Sequence, residues 1–336
     1  GAFDPSQAPI KQSNLCMEIT LPTKPLYSVQ DKEGEVALCT LSAVNLGAID
    51  SLDELEDITD IIVRSLDSLL DYQDYPLKSA EITSNNRRTL GIGVTNLAYY
   101  LAKNDAKYSD GSGNDLIHRT FEALQYFSLK ASNEIAQEFG PCPLFSETQY
   151  AKGVMPIDSY KKDIDQFCNT ELELDWDSLR KNIQATGLRN STLTALMPCE
   201  SSSQISNSTN GIEPPRGFIS VKQSKDGILK QVVPEYEKLH KKYELLWDIK
   251  DNEGYLQLCA IMQKFVDQSI STNTHYDPSQ YDGNRVPMKL FLMDLLKAYK
   301  YGIKTLYYHT TRDGSSDGQN TTAKGDDDCE DGVCKL

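Results

Sequence analysis

No stretch of this chain approaches the roughly 20 consecutive apolar residues that a membrane-spanning helix needs. Residues 1–15 carry Pro5 and Pro9 and no apolar h-region, so they do not read as a signal peptide. Positive charge is in short supply: 34 Lys and Arg stand against 49 Asp and Glu, a formal charge of −15. That argues against a general nucleic-acid binder, which needs a basic stripe. It leaves room for an anionic small ligand, since backbone amides at helix N-termini bind phosphate whatever the net charge. Histidine is scarce, and His118, His240, His275 and His309 lie far apart with no metal-ligand spacing, so no metal is expected. The eight cysteines form neither a disulfide framework nor a paired C-x-x-C zinc pattern, which suits a reducing cytoplasm. A dinucleotide fingerprint is missing too. Gly91-Ile92-Gly93-Val94-Thr95-Asn96 starts like one but puts Asn96 in the third glycine position, so close packing of strand on helix is the better reading and a nicotinamide dehydrogenase is disfavoured.

What is present is a chain of 336 residues, 39% hydrophobic and 25% charged, the balance of an ordinary soluble globular protein of one large or two smaller domains. Short β-rich runs alternate with amphipathic stretches and no internal repeat occurs. Strands are expected at 36–41, 89–94, 191–197, 218–221 and 303–308. Helices are expected from the capping box at Ser51-Leu52-Asp53-Glu54 to just before Pro76, then at 96–103, 114–138, 175–186, 235–247, 254–271 and 287–301. Strands separated by helices imply parallel pairing through right-handed crossovers, an α/β fold. From Thr311 onward the chain is rich in Gly, Ser, Thr and Asp and reads as a flexible tail, giving a body over 1–310 and a tail over 311–336.

Five stretches carry chemistry. In Ser13-Asn14-Leu15-Cys16-Met17-Glu18-Ile19 polar and apolar residues alternate. An extended backbone would place Asn14, Cys16 and Glu18 on one face, with Leu15, Met17 and Ile19 packed behind. No basic residue activates Cys16 as a nucleophile, and Glu18 two positions on should raise its pKa. A thiol kept protonated beside a base suits hydrogen-atom chemistry; an ordinary edge strand with a buried cysteine fits the same spacing. Met197-Pro198-Cys199-Glu200-Ser201-Ser202-Ser203-Gln204 follows a predicted strand and offers hydroxyls and amides suited to a phosphate, or equally a solvated helix cap. Asn210-Gly211-Ile212-Glu213-Pro214-Pro215-Arg216-Gly217 is a restricted loop that rims a pocket or merely turns the chain. Tyr307-Tyr308 reads as packing on the two faces of a strand; to act in series the backbone would have to leave β geometry so that the rings stack. Cys329 and Cys334 lack the second pair that zinc requires, and a structural disulfide there would stabilise nothing, which favours a mobile dithiol. The linker from Tyr308 to Cys329 reaches about 25 Å as a flexible coil.

Taken together these pieces resemble the C-terminal half of the large, catalytic subunit of class I ribonucleotide reductase, from about residue 3 to the last. The family's SNLCxEI finger loop stands at 13–19, its ALCxLSxxNLG segment at 37–47, its phosphate loop at 197–204, NGIEPPRG at 210–217, its tyrosine pair at Tyr307-Tyr308 and its two-cysteine tail at Cys329 and Cys334. The resemblance implies half of a ten-stranded α/β barrel with a central finger loop, many flanking helices and a redox tail. It also implies reduction of ribonucleoside diphosphates by thiyl-radical chemistry. Cys16 would carry the radical, Glu18 act as base on the 3′ hydroxyl and Asn14 hold the substrate, with Cys39 one half of the reducing dithiol. Ser13, Pro198, Cys199, Glu200, Ser201 and Ser202 would bind substrate and its diphosphate, and Tyr307 and Tyr308 would relay the radical.

On the same resemblance no cofactor is bound by the chain itself. The radical comes from a metal-containing small subunit, and thioredoxin or glutaredoxin recharges Cys329 and Cys334. Nucleotide effectors, and the cysteine that pairs with Cys39, belong to the family's N-terminal half. The chain is therefore expected to be a split-gene product or fragment, inactive alone, oligomeric, and partnered by that half. Cys199 departs from the family's usual serine or threonine, so backbone amides and the following serines are expected to carry the phosphate. The rival readings are a stand-alone thiol-disulfide redox protein using the tail dithiol, and a non-catalytic nucleotide-binding remnant.

Overall fold

Parallel pairing runs through the chain in sequence order. The computed structural model describes residues 1–224, 227–312, 329–330 and 333–334. Strand β1 (Leu41–Asn45) pairs in parallel with β2 (Gly91–Thr95), Leu41 opposite Gly91 and Asn45 opposite Thr95. Next to β2 comes the extended segment 192–196, bridged through Ile92 and Thr194. Segment 268–272 follows, bridged through Leu196 and Ile270. It runs into β5 (Thr274–Tyr276), which pairs in parallel with β6 (His309–Thr311).

Helices fill every crossover. Between β1 and β2 lie α1 (Glu54–Tyr72) and α2 (Lys78–Arg87). Then come α3 (Leu97–Lys103), α4 (Asn114–Phe139), α5 (Pro156–Ser159) and α6 (Trp176–Thr186). After segment 192–196 the chain forms α7 (Glu200–Ile205), an antiparallel hairpin β3 (Ile219–Ser224) and β4 (Gly227–Val232), α8 (Tyr236–Leu239) and α9 (Glu253–Phe265). Helix α10 (Met288–Tyr301) precedes β6. The fold is α/β. Near the C-terminus the two-residue strands β7 (Cys329–Glu330) and β8 (Val333–Cys334) pair antiparallel. Among the described residues no helix is long and apolar enough to cross a membrane.

Close approach explains the two strand glycines. A Cβ on Gly91 would meet Leu41 Cδ2 at 2.5 Å, and one on Gly93 would meet the Ala195 carbonyl at 2.8 Å. Asn96, in the third position, takes the left-handed conformation at φ 70° and uses its side chain to bond Thr209 N and Asn45 Oδ1. The core lies between this sheet and α4, where Ile117, Phe121, Leu124 and Ile135 are buried at helical spacing. Truncating Phe121 to Ala would cost about 3–5 kcal/mol. Polar residues on α4 are buried too, and two of the hydroxyls bond the preceding turn of the same helix. Thr120 Oγ1 donates to Leu116 O at 2.7 Å and Ser128 Oγ to Leu124 O at 2.6 Å.

Several expected elements end elsewhere. No strand occupies 36–40, and β1 begins at Leu41. The helix expected over 235–247 survives only as α8, because its apolar and acidic residues serve different neighbours: Glu244 accepts from Tyr108 N at 2.6 Å, and Leu246 N donates to Pro215 O at 2.9 Å. Helix α9 stops at Phe265 because 268–272 is taken by the sheet, with Gln268 N donating to Thr194 O at 3.1 Å. The last strand starts at His309, so Tyr307 and Tyr308 lie before it. Helices α2 and α7 fall where none was expected.

Candidate active site

Residues 13–19 form a closed turn, not the extended strand that their alternation suggests. Met17 N donates to Asn14 O at 3.2 Å, and Met17 sits at φ 68°. Ser and Asn side chains stabilise such turns by bonding nearby backbone. Here Ser13 Oγ donates to Ile19 O at 2.6 Å, and Asn14 Oδ1 accepts from Ile19 N at 3.1 Å. Asn14 Nδ2 then donates to Glu18 Oε1 at 2.8 Å, so amide and carboxylate meet directly. The sheet anchors the turn from 250 residues away: Ser269 N donates to Glu18 O at 3.0 Å and Gln268 Oε1 accepts from Thr20 N at 3.2 Å. Leu15, expected to pack behind, is 67% exposed, while Ile19 is buried.

Glu18 is buried, yet its Oε2 has no hydrogen-bond partner. Burial raises its pKa above the usual carboxylate value, against the pull of its own backbone amide and the Asn14 amide. Cys39 lies within electrostatic reach of both Glu18 and Cys16. It keeps some surface open to solvent, but crowding by protein, then the Glu18 and Cys16 charges, push its thiol up to about 11. A protonated thiol is the form that donates hydrogen atoms, and a carboxylate of raised pKa is a competent base.

Tyr307 and Tyr308 do leave β geometry, and their rings stack with centroids 3.8 Å apart at 33°. Tyr307 N donates to Thr272 O at 2.8 Å and Tyr308 N to Asn273 Oδ1 at 2.8 Å. Burial, then hydrogen bonding to Tyr308, then the Cys16 charge and a hydrogen bond to Cys16, hold the Tyr307 phenol far above its ordinary range. The outer ring, Tyr308, is 52% exposed. The stacked pair thus runs from the exposed ring of Tyr308 to Tyr307, whose phenol lies within electrostatic reach of Cys16.

The serine turn lies beyond the C-terminal end of segment 192–196. Pro198 leads into α7, where Glu200, Ser201 and Ser202 are exposed. The Cys199 thiol faces inward, donating to Val94 O and Met197 O at 3.6 Å, and its amide N–H is taken by Asn210 Oδ1 at 2.7 Å. Cys199 therefore presents neither group to the open side of the turn, which leaves the first-turn amides and hydroxyls that follow it. The side chains of Cys329 and Cys334 lie outside the described residues. Among the described residues no group of three or more His, Cys, Asp or Glu side chains is placed to hold a metal ion.

The sequence reading missed Thr272, Asn273, Gln268 and Ser269, which anchor the tyrosines and the 13–19 turn. No local pattern marks them, because their partners are remote in sequence.

A family model described as ribonucleotide reductase, barrel domain, matches residues 3–309. The chain is 65% identical over 334 residues to the ribonucleoside-diphosphate reductase subunit alpha of Haemophilus influenzae, covering 99% of this chain and 44% of that protein. It is 63% identical over 336 residues to ribonucleoside-diphosphate reductase 1 subunit alpha of Escherichia coli, with the same coverage of 99% and 44%. The subunit alpha of Enterobacteria phage T4 is 49% identical over 340 residues, again covering 99% of this chain and 44% of the relative. The chain thus spans 44% of the length of these relatives.

Proposed function

This chain belongs to the ribonucleotide reductase barrel-domain family, and we propose that it supplies the radical-bearing part of a ribonucleoside-diphosphate reductase large subunit. The observation that carries this reading is the stacking of the Tyr308 and Tyr307 rings, 3.8 Å apart, with the Tyr307 phenol within electrostatic reach of Cys16, and Cys16 and Glu18 within reach of Cys39.

In the proposed cycle a metal-containing small subunit oxidises Tyr308, Tyr308 oxidises Tyr307, and Tyr307 takes the hydrogen atom of Cys16. The Cys16 sulfur radical removes the 3′ hydrogen of the ribose. Glu18, held by Asn14, accepts the 3′ hydroxyl proton. The 2′ hydroxyl then leaves as water, and two electrons and two protons come from Cys39 and a cysteine of the complementary half, which become a disulfide. Cys16 returns its hydrogen to C3′ and is again a radical. Ser13 and the backbone and hydroxyls of 198–202 hold the substrate. Cys329 and Cys334 on the tail, 311–336, re-reduce the disulfide and are recharged by thioredoxin or glutaredoxin. Nucleotide effectors act on the complementary half.

Among the described residues, β1 pairs only with β2, and segment 307–311 pairs only with 272–276. Two open parallel edges fit half of a ten-stranded barrel, completed by the complementary half around the finger loop at 13–19. The setting is the cytoplasm, and the working unit an oligomer.

The test is to combine the chain with a complementary N-terminal polypeptide and a radical-bearing small subunit and to measure deoxynucleotide formation. Cys16→Ala is expected to lower turnover by more than about three orders of magnitude. Full-rate reduction by the isolated chain, or by the Cys16→Ala assembly, overturns the proposal. A stand-alone thiol-disulfide protein would instead keep its activity in Cys16→Ala and lose it in Cys329→Ser.

A further inference from the structure

The loop at 210–217 has no part in the cycle above, yet it touches two parts of the site. Its first residue is tied to the serine turn. Asn210 Oδ1 accepts from Cys199 N and Asn210 Nδ2 donates to Glu200 Oε1, each at 2.7 Å. Gly211 then holds φ 50°, and Gly211 O accepts from Leu97 N at 3.2 Å. Two residues on, Glu213 meets Asn273, just before β5: Asn273 Nδ2 donates to Glu213 Oε1, and Asn273 Oδ1 accepts the Tyr308 N–H at 2.8 Å. Pro214 and Pro215 follow, each with fixed φ, and Pro215 O accepts from Leu246 N at 2.9 Å, so the loop cannot easily retract Glu213.

The chemistry of these groups makes the contact directional. A side-chain amide can present either its oxygen or its nitrogen to a neighbour. Tyr308 N–H requires an acceptor, and Glu213 Oε1 requires a donor. Only one orientation of Asn273 satisfies both, and Glu213 enforces it from the side away from the tyrosines. His275 Nε2 is 3.8 Å from the same Glu213 oxygen, beyond hydrogen-bond length, so Asn273 is the partner that fixes it. The Tyr307 amide is held by a backbone carbonyl, that of Thr272. The Tyr308 amide depends on a side chain.

We infer that Glu213 is a positioning residue for the tyrosine pair. By orienting Asn273 it fixes the Tyr308 backbone and hence the stacking of its ring on Tyr307, and through Asn210 the same loop joins that geometry to the serine turn. This inference rests on the radical-relay reading of Tyr307 and Tyr308.

The experiment uses the chain in its assembly with the complementary half and the small subunit, and measures Glu213→Ala, Asn273→Ala, the double variant and Glu213→Gln. Amide exchange over 305–310 should quicken about tenfold or more in both alanine variants, with α4 exchange unchanged as the folding control. In the same variants kcat should fall about tenfold while KM for the nucleoside diphosphate stays within about twofold. The double variant should be no worse than Asn273→Ala, because Glu213 acts through Asn273. Glu213→Gln keeps an acceptor oxygen in place and should stay within about threefold of the parent. Unchanged exchange over 305–310 overturns the inference, as does quickened exchange with full kcat, or additive losses in the double variant. If the unsubstituted assembly reduces no nucleotide, it is the functional reading that fails, and the exchange measurements still decide the contact.

Discussion

Two carboxylates in this chain are almost equally buried and are treated in opposite ways. Asp267, 1% exposed just before segment 268–272, accepts from Leu193 N at 2.9 Å, Thr194 N at 3.0 Å, Thr194 Oγ1 at 3.2 Å and Tyr150 Oη at 2.9 Å. Glu18, 2% exposed in the 13–19 turn, accepts from the Asn14 side chain on one oxygen and leaves the other bare. Buried polar atoms are nearly always satisfied, so the orphaned oxygen of Glu18, a carboxylate within electrostatic reach of Cys39, accords with the base role proposed for it. Burial does not tell these two carboxylates apart; the completeness of their hydrogen bonding does.

If that contrast is right, the open region should tolerate substitution in stability and not in activity, and the closed region the reverse. The largest expected effect is at Tyr307. Tyr307→Phe preserves the stacked ring and removes the hydroxyl whose hydrogen the proposed relay exchanges, so turnover of the assembly should drop by more than about a thousandfold. Its melting temperature should stay within about 2 °C, since one part-buried hydroxyl is lost. Turnover near the parent rate would break the contrast at its strongest point.

Glu18→Gln comes next. A neutral isostere cannot take the 3′ proton, so kcat should fall about 10²–10⁴-fold. The acid limb of the parent's pH–rate profile should lie above the ordinary 4.5, because the deprotonated form is the active one and burial raises the pKa. Stability follows the opposite sign. A carboxyl with a raised folded pKa loses stability as pH rises from its unfolded value through its folded one, and Gln removes that loss. Urea midpoints at pH 7 should therefore be equal or higher in Glu18→Gln, and a clear decrease would show that Glu18 is scaffold after all.

The sequence made one side of this contrast easier to read than the other. The apolar positions of α4 repeat at helical spacing, and the structure buries Ile117, Phe121, Leu124 and Ile135 as that spacing requires. The α/β alternation is legible for the same reason. The 13–19 turn is not, because alternation of period two reads as a strand, and what closes the turn is a positive φ at Met17 and anchors at Gln268 and Ser269. The segment 36–41 misleads likewise: its apolar run looks like a strand, but pairing partners exist only from Leu41 onward. Cys16 and Glu18 stand out as candidates by residue type and spacing, and Cys39 through the family resemblance, whereas Asn273 has no local signature and emerges only with its contacts to Tyr308 and Glu213.

Asp267→Asn tests the closed side. Whichever oxygen is replaced, one backbone N–H and one hydroxyl of its four donors would face an amide NH₂, at a cost of about 2–4 kcal/mol in denaturant unfolding. Activity per folded molecule should change by less than about threefold, since the groups it holds belong neither to the 13–19 turn nor to the tyrosine pair. A collapse of kcat with unchanged stability would place Asp267 in the site and erase the distinction drawn from hydrogen-bond completeness.

A third way to bury an ionisable group is to discharge it, and His118 sharpens the comparison by the smallest step. Its ring is fully buried, accepts from Lys264 Nζ at Nε2 at 3.0 Å, and packs its edge against Phe265 at 4.9 Å. Burial, then the Lys264 charge, lower its pKa to about 4. The folded chain thus binds fewer protons at this ring than the unfolded chain between pH 6.5 and about 4, and stability must fall as pH drops through that window. At pH 5 the loss from this ring is roughly 2 kcal/mol relative to pH 7, from about 1.5 units at 1.36 kcal/mol each. His118→Gln keeps an acceptor for Lys264 and does not titrate, so its unfolding free energy should lose that much less between pH 7 and pH 5. Parallel pH slopes for parent and variant would mean the ring keeps its ordinary pKa when folded. Below pH 6.5 it would then be protonated beside the Lys264 cation, with Asp115 and Asp165 to offset the repulsion.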